Sequence, residues 1–154
     1  MENYEHWVEK LELEPHPEGG YYKRTYTSDT KLQSGRACSS AIIYLLHSGE
    51  KSRLHRLGSD EMWHFYGGES LTIHQFCEKE RYQRRTLGQK FKQNQTPQVL
   101  IPSGNWFGAT VDTGFSLVGC TVTPSFHFDD FELADEDELK KKFPEHKKII
   151  DRLT

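Results

Sequence analysis

The sequence predicts an all-β domain, a sandwich or barrel of the kind a jelly roll builds, with a short helix before it and helices after it. Three observations carry this expectation. About eight short runs suited to strands recur at intervals of about 8–12 residues. Turn chemistry based on Gly, Pro, Asp and Ser separates them. Helical periodicity is confined to the two ends of the chain.

The elements follow in order. Tyr4 to Leu13 places Trp7, Val8 and Leu11 on one face of a short amphipathic helix, and Pro15 and Pro17 end it. Gly19-Gly20 opens a Tyr- and Thr-rich strand from Tyr21 to Thr27. Ser40 to His47 (SAIIYLLH) is a continuous apolar run, as expected of a strand buried on both faces. Ser48-Gly49-Glu50 is a turn. Glu61 to Tyr66 and Leu71 to Phe76 flank Gly67-Gly68, which reads as a hairpin. Arg81 to Leu87 (RYQRRTL) is polar and belongs at an edge or facing solvent. Gln98 to Ile101, Trp106 to Val111 and Phe115 to Thr123 complete the set, with turns at Pro102-Ser103-Gly104 and Asp112-Thr113-Gly114. Asp135 to Phe143 begins acidic and ends basic, as a helix dipole favours. Pro144 to Leu153 carries Ile149, Ile150 and Leu153 on a second C-terminal helix.

Composition sets limits on function. A chain of 154 residues without repeats or a low-complexity linker is read as one domain over residues 1–154. Its net charge of -3 argues against a uniformly basic nucleic-acid binder, and the lysines at 140–142 and 147–148 read as a solvated helix face. No apolar run is long enough to cross a membrane, and no signal peptide or lipidation motif is recognisable. Cys38, Cys77 and Cys120 form no CxxC pair, so they are expected to be reduced, small buried hydrophobes in a cytoplasmic protein. Walker, dinucleotide-binding and Gly-x-Ser-x-Gly patterns are missing.

Two stretches carry chemistry: KSRLHRLGSDEMWHFYGG, from Lys51 to Gly68, and LIPSGNWFGA, from Leu100 to Ala109. Together they resemble the two cupin motifs. His55, Glu61 and Gly68 match the first, and Pro102 and Gly104 match the second. Two histidines at i and i+2 on a strand, with a glutamate on the next strand, are the geometry of a shared metal site. Leu57 and Phe107 occupy the second histidine of motif one and the histidine of motif two. Two of four ligands are therefore replaced, and no cofactor is expected. A divalent metal on His55 and Glu61, aided by His64, is the weak alternative.

Further segments, PHPEGGYYKRTYTS (Pro15 to Ser28), VLIPSGNW (Val99 to Trp106) and FDDFELAD followed by FPEHKKIIDRL (Phe128 to Leu153), look like the cupin 5 family, domain of unknown function 985. The resemblance implies a double-stranded β-helix, or jelly-roll cupin barrel, with helical extensions and a homodimer. It implies no settled activity. Within cupins, Arg53-Leu54-His55 is similar to the metal-independent nucleotide-sugar epimerases, where a histidine takes a proton α to a carbonyl and a tyrosine acts as acid.

The expected ligand is a small molecule of carbohydrate or nucleotide-sugar type, turned over by an epimerase or isomerase. His55, Glu61 and Tyr44 are the candidate catalytic residues, and Arg53, Trp63, Trp106 and Phe107 the candidate ligand-binding residues. Strand parity sets His64 on the face opposite Glu61. A non-catalytic binding barrel and a metal-dependent cupin enzyme stand as alternatives. Gly20 to Thr27 is expected to add to a neighbouring subunit's sheet in a two-fold dimer.

Overall fold

The computed structural model describes residues 3–77, 79 and 81–154. The chain opens with helix α1 (Tyr4–Lys10), whose first turn is capped by the Asn3 side chain accepting from the His6 amide at 3.1 Å. The helix stops short of the expected Leu13, because the chain turns at Leu11 and Glu12 takes a positive φ of 54°. Tyr4 stacks its ring on His47 with centroids 4.0 Å apart, which docks α1 against the C-terminal end of the strand Ser40–His47.

Twelve strands follow among the described residues. They are β1 (Glu14–Pro15), β2 (Tyr21–Thr27), β3 (Ser40–His47), β4 (Lys51–Arg56), β5 (Asp60–Gly68) and β6 (Leu71–Cys77). Then come β7 (Arg81–Leu87), β8 (Gln95–Thr96), β9 (Gln98–Ile101), β10 (Trp106–Thr110), β11 (Phe115–Thr123) and β12 (Glu132–Leu133). Helices α2 (Glu136–Lys142) and α3 (Lys147–Leu153) close the chain, with a short 3-10 turn at Pro144–His146 between them.

The strands form two sheets of six. The first has the order β1-β2-β3-β11-β5-β9 and the second β12-β4-β10-β6-β7-β8. Among the described residues every pairing is antiparallel except β7 with β8. Along β3, β4, β5 and β6 the chain alternates between the sheets, and it does so again along β9, β10 and β11. One apolar cluster joins their inner faces. Tyr44, Leu46, Trp63, Val118 and Val122 come from the first sheet, and Leu71, Ile73, Leu87, Phe107 and Ala109 from the second.

A second cluster covers the outer face of the second sheet. Leu54 and Phe76 meet Leu139, Phe143, Ile150 and Leu153 of the C-terminal helices. This is why β6 is buried at almost every position instead of alternating. The Asp135 carboxylate accepts from the Glu138 amide at 2.9 Å and starts α2.

Two expectations are corrected. Gly67-Gly68 does not close a hairpin, because β5 and β6 lie in different sheets. Gly68, at φ 83°, instead swings the chain across, and a Cβ there would stand 2.3 Å from the Phe115 carbonyl oxygen. Residues 51–56, read as motif but not as a strand, form β4, since KSRLHR has Leu54 as its one apolar side chain. The strand β2 pairs on one edge with β3 of its own chain from Tyr21 to Thr27, and on its other edge with β1 at Tyr21 and Tyr22.

Candidate functional site

The site is built on an irregularity in β4. Phe107 of β10 faces His55, but Ala109 faces Ser52, so Gly108 spans Arg53 and Leu54 together. This two-for-one count is a β-bulge. It reverses the in-out alternation, so Ser52 and His55, three residues apart, both turn to the interior while Leu54 turns out to the helices. Gly108 makes it feasible, because a Cβ there would lie 2.8 Å from the Ser52 carbonyl oxygen.

Opposite the bulge runs the segment between β1 and β2. Gly19 and Gly20 have φ values of 107° and 74°, and a Cβ on Gly19 would collide with the Lys51 carbonyl at 2.0 Å. The turn they make, together with the Arg53 amide donating to the Glu18 carbonyl at 2.9 Å, drives Glu18 inward. Its carboxylate meets His55 Nε2 at 2.9 Å through Oε2 and accepts from Ser52 Oγ at 3.1 Å through Oε1. The Glu18 amide donates to His16 Nδ1 at 3.1 Å, and burial lowers the pKa of His16.

His55 is 3% exposed and has both ring nitrogens engaged. Nδ1 donates to the Arg53 carbonyl at 2.6 Å, since a carbonyl can only accept. Nε2 faces the Glu18 carboxylate. Burial alone would lower the His55 pKa, but Glu18 outweighs it and the net shift is upward. Burial likewise opposes ionisation of Glu18, and His55 with the Ser52 hydroxyl reverses the balance, so its pKa is lowered. Together they form a buried imidazolium–carboxylate pair.

Glu61, from β5, is 6% exposed, and its Oε2 has no hydrogen-bond partner. Burial pushes its pKa up to about 7, His55 pulling it down and Glu18 raising it. Trp63 lies two residues on, with the same inward orientation. Its ring meets Tyr44 and Phe107 edge-on, and its indole N–H, like the Cys120 thiol, favours the ionised form of the Glu61 carboxyl. Across the sheet pairing from Trp63 is Cys120, whose thiol burial lifts well above its ordinary pKa.

These groups line one end of a cavity of about 680 Å3. Glu18, Tyr44, His55, Glu61, Trp63 and Cys120 form the buried end, while Arg24, His127 and Phe128 form the exposed end. Arg24 lies over the Phe126 ring at 5.8 Å, and Lys23 pairs with Glu12 at 2.6 Å.

Of the residues singled out from sequence, the cavity gathers His55, Glu61, Tyr44 and Trp63. It does not gather the others. Arg53 contributes backbone to the site, but its side chain is exposed and lines a neighbouring hollow. Trp106 and Phe107 are adjacent on β10 and so point opposite ways. Trp106 faces the C-terminal helices with the Arg56 guanidinium 4.4 Å over its ring, and Phe107 packs in the core behind His55 at 4.1 Å. His64 faces outward, bonded to Thr121 Oγ1 and to the Gln98 amide, each at 3.1 Å, so it cannot join His55 and Glu61. Tyr44 donates to the Gly19 carbonyl at 2.7 Å, which commits its proton to holding the Glu18 segment.

Glu18 and His16 had no place among the expected site residues. The sequence signal for them is PHPEGG: an acid wedged between proline and two glycines in a turn that must take positive φ.

The cupin metal site does not fit this donor set. Leu57 and Phe107 are apolar and belong to the core cluster. The His55 nitrogens are held by Glu18 and Arg53.

Among solved structures, protein SO0799 from Shewanella oneidensis is 42% identical, with a TM-score of 0.95, and the match covers 100% of this chain and 98% of that one. A hypothetical protein from Leishmania major is 32% identical over 99% of both chains, with a TM-score of 0.93. Oxalate decarboxylase of Bacillus subtilis matches at 16% identity and a TM-score of 0.59, covering 91% of this chain and 37% of that one, a likeness of fold alone. No curated protein matches the chain. The family profile described as Cupin superfamily (DUF985) matches residues 5–134, and the chain belongs to that family, Cupin_5.

Proposed function

We propose that this protein is a metal-independent cupin, its two sheets closing as a jelly-roll barrel, that binds a small carbohydrate-like ligand bearing a carbonyl and moves a proton on it. The observation that carries the reading is Glu61. It is a buried carboxyl facing the cavity, with a free Oε2 and a pKa of about 7. An acid–base group poised near the working pH gives and takes a proton at similar cost. The Glu61 carboxylate would accept the proton from the carbon next to the carbonyl, leaving an enolate, and then return it.

The cationic His55 supplies a field that favours the developing oxyanion. Its nitrogens stay with Glu18 and Arg53, so His55 is a positioning residue and not the base. Tyr44, whose proton is held by Gly19, is likewise a positioning residue. One free acid–base group on one side of the ligand suits an isomerase that returns the proton on the same face. An epimerase needs a donor on the opposite face. Lys23 and Arg24 at the exposed end offer positive charge to a nucleotide-sugar, should the sugar carry one.

The test is solvent-proton exchange. Aldoses, ketoses and nucleotide-sugars are incubated with the protein in D2O, and deuterium next to the carbonyl is read by NMR. Wild type incorporates it with at least one of them and Glu61→Gln does not. Saturable binding without incorporation favours the second reading, a non-catalytic binding protein, for which the engaged His55 and Tyr44 speak.

The outer edge of β2 pairs with β1 only at Tyr21 and Tyr22, which supports a two-fold dimer through Lys23–Thr27. Light scattering that gives the mass of a monomer rejects it.

A further inference from the structure

A second hollow, of about 440 Å3, backs onto the segment that carries Glu18. Gly19 lines it on one side, and the basic residues Lys51, Arg53 and Arg152 line it on others. Lys51 and Arg53 come from β4 and Arg152 from α3, so two separate elements deliver positive charge to one concavity in a chain whose net charge is -3. The side chains of Lys51 and Arg53 make no ion pair or hydrogen bond among the described residues.

Two carboxylates accompany the three cations: Glu50, which also lines the hollow, and Asp112, which pairs with Arg152. Glu50 accepts from the Gly20 amide at 3.1 Å and lies 3.4 Å from His47 Nε2, so its charge is directed to the turn and the ring. Asp112 meets Arg152 only at 3.9 Å, at the limit of an ion pair. Two guanidinium groups and an ammonium around one hollow, with only Arg152 in contact with a carboxylate, match the oxygens of a small oxyanion.

We infer that this hollow binds a phosphate group, as the free ion or as a phosphate monoester, through Lys51, Arg53 and Arg152. The site is separate from Glu61 and does not rest on the proton-transfer reading. It is joined to the cavity by backbone: the Arg53 amide holds the Glu18 carbonyl at 2.9 Å, and Gly19 is pressed against the Lys51 carbonyl.

The test is titration with inorganic phosphate followed by 1H–15N NMR, against chloride at matched ionic strength. The expected result is saturable movement of the Gly19, Gly49 and Arg53 amides. The double variant Arg53→Gln/Arg152→Gln weakens the affinity by about tenfold or more. Lys92→Gln, at an exposed lysine outside the hollow, leaves it unchanged. Glycerol phosphate separates the two sources. Tighter binding than inorganic phosphate assigns the site to an esterified phosphate, and equal binding assigns it to the free ion. Shifts that never saturate in the wild type, or that persist at the same affinity in the double variant, overturn the inference.

Discussion

His55 Nε2 stands 2.9 Å from Glu18 Oε2, with both side chains sealed from solvent. The contact joins the Gly-rich segment before β2 to the bulged strand β4, and the charge state of each partner depends on the other.

Removing the charge of Glu18 leaves burial as the dominant influence on His55. In Glu18→Gln the imidazole titrates below 6.5, whereas in the wild type it titrates above 6.5. Breaking a buried pair costs about 3–5 kcal/mol, so the variant also melts earlier. In the wild type the Glu18 share is present above 4.5 and lost as the pH falls through its lowered folded pKa. The His55 share is present below 6.5 and lost as the pH rises through its raised folded pKa. The pair therefore stabilises most between 4.5 and 6.5. NMR titration of the His55 ring and calorimetry across pH measure these effects; an unshifted ring titration in the variant contradicts them.

Glu61 runs the other way from an ordinary salt-bridged acid. Its folded pKa of about 7 lies above 4.5, so folding favours the neutral carboxyl. Its contribution is complete below 4.5 and is lost as the pH rises to about 7, amounting to roughly 3 kcal/mol over that interval. Urea unfolding on either side of that window detects the loss in the wild type. In Glu61→Gln most of the slope disappears.

Gly108→Ala places a methyl group 2.8 Å from the Ser52 carbonyl oxygen, and backbone cannot step aside as a side chain could. The expected cost is about 1–3 kcal/mol. The accompanying sign is local: His55 loses its raised pKa as β4 is pushed away from Glu18. A drop in melting temperature with an unaltered His55 titration would separate the bulge from the site.

Phe143→Ala opens the helix-covered face of the second sheet, where Phe143 is 3% exposed and lies 4.9 Å from Phe76. A loss of about 3–5 kcal/mol is expected. The variant's cavity chemistry stays intact below its lower melting temperature, because none of the cavity's lining residues belongs to that cluster.

Chelators and added Mn(II) or Zn(II) leave both the melting temperature and the His55 resonances unchanged, because a metal would first have to displace Glu18 from His55. Stabilisation by a stoichiometric metal contradicts the metal-independent reading.

The sequence made the strands with continuous or alternating apolar character plain: SAIIYLLH became β3 and Phe115 to Thr123 became β11. It concealed β4, because a strand whose interior is occupied by Ser52 and His55 reads as polar. His55 and Glu61 were legible from motif spacing. Glu18 was not, since its importance lies in a partner distant in the chain, and no local pattern announces that meeting. Spacing also misjudged Trp106, because matching a motif position does not say which side of the sheet a residue occupies. Both errors are of one kind: orientation and register are tertiary properties.

The bulge opposite Gly108 changes how this strand must be compared between proteins. Before it, even-numbered positions look inward; after it, odd-numbered ones do. Aligning a relative by alternating pattern alone slips out of phase midway, and the serine and histidine coincide in space only where the extra residue is retained. A deletion there would keep every side chain of the motif and yet point half of them the wrong way.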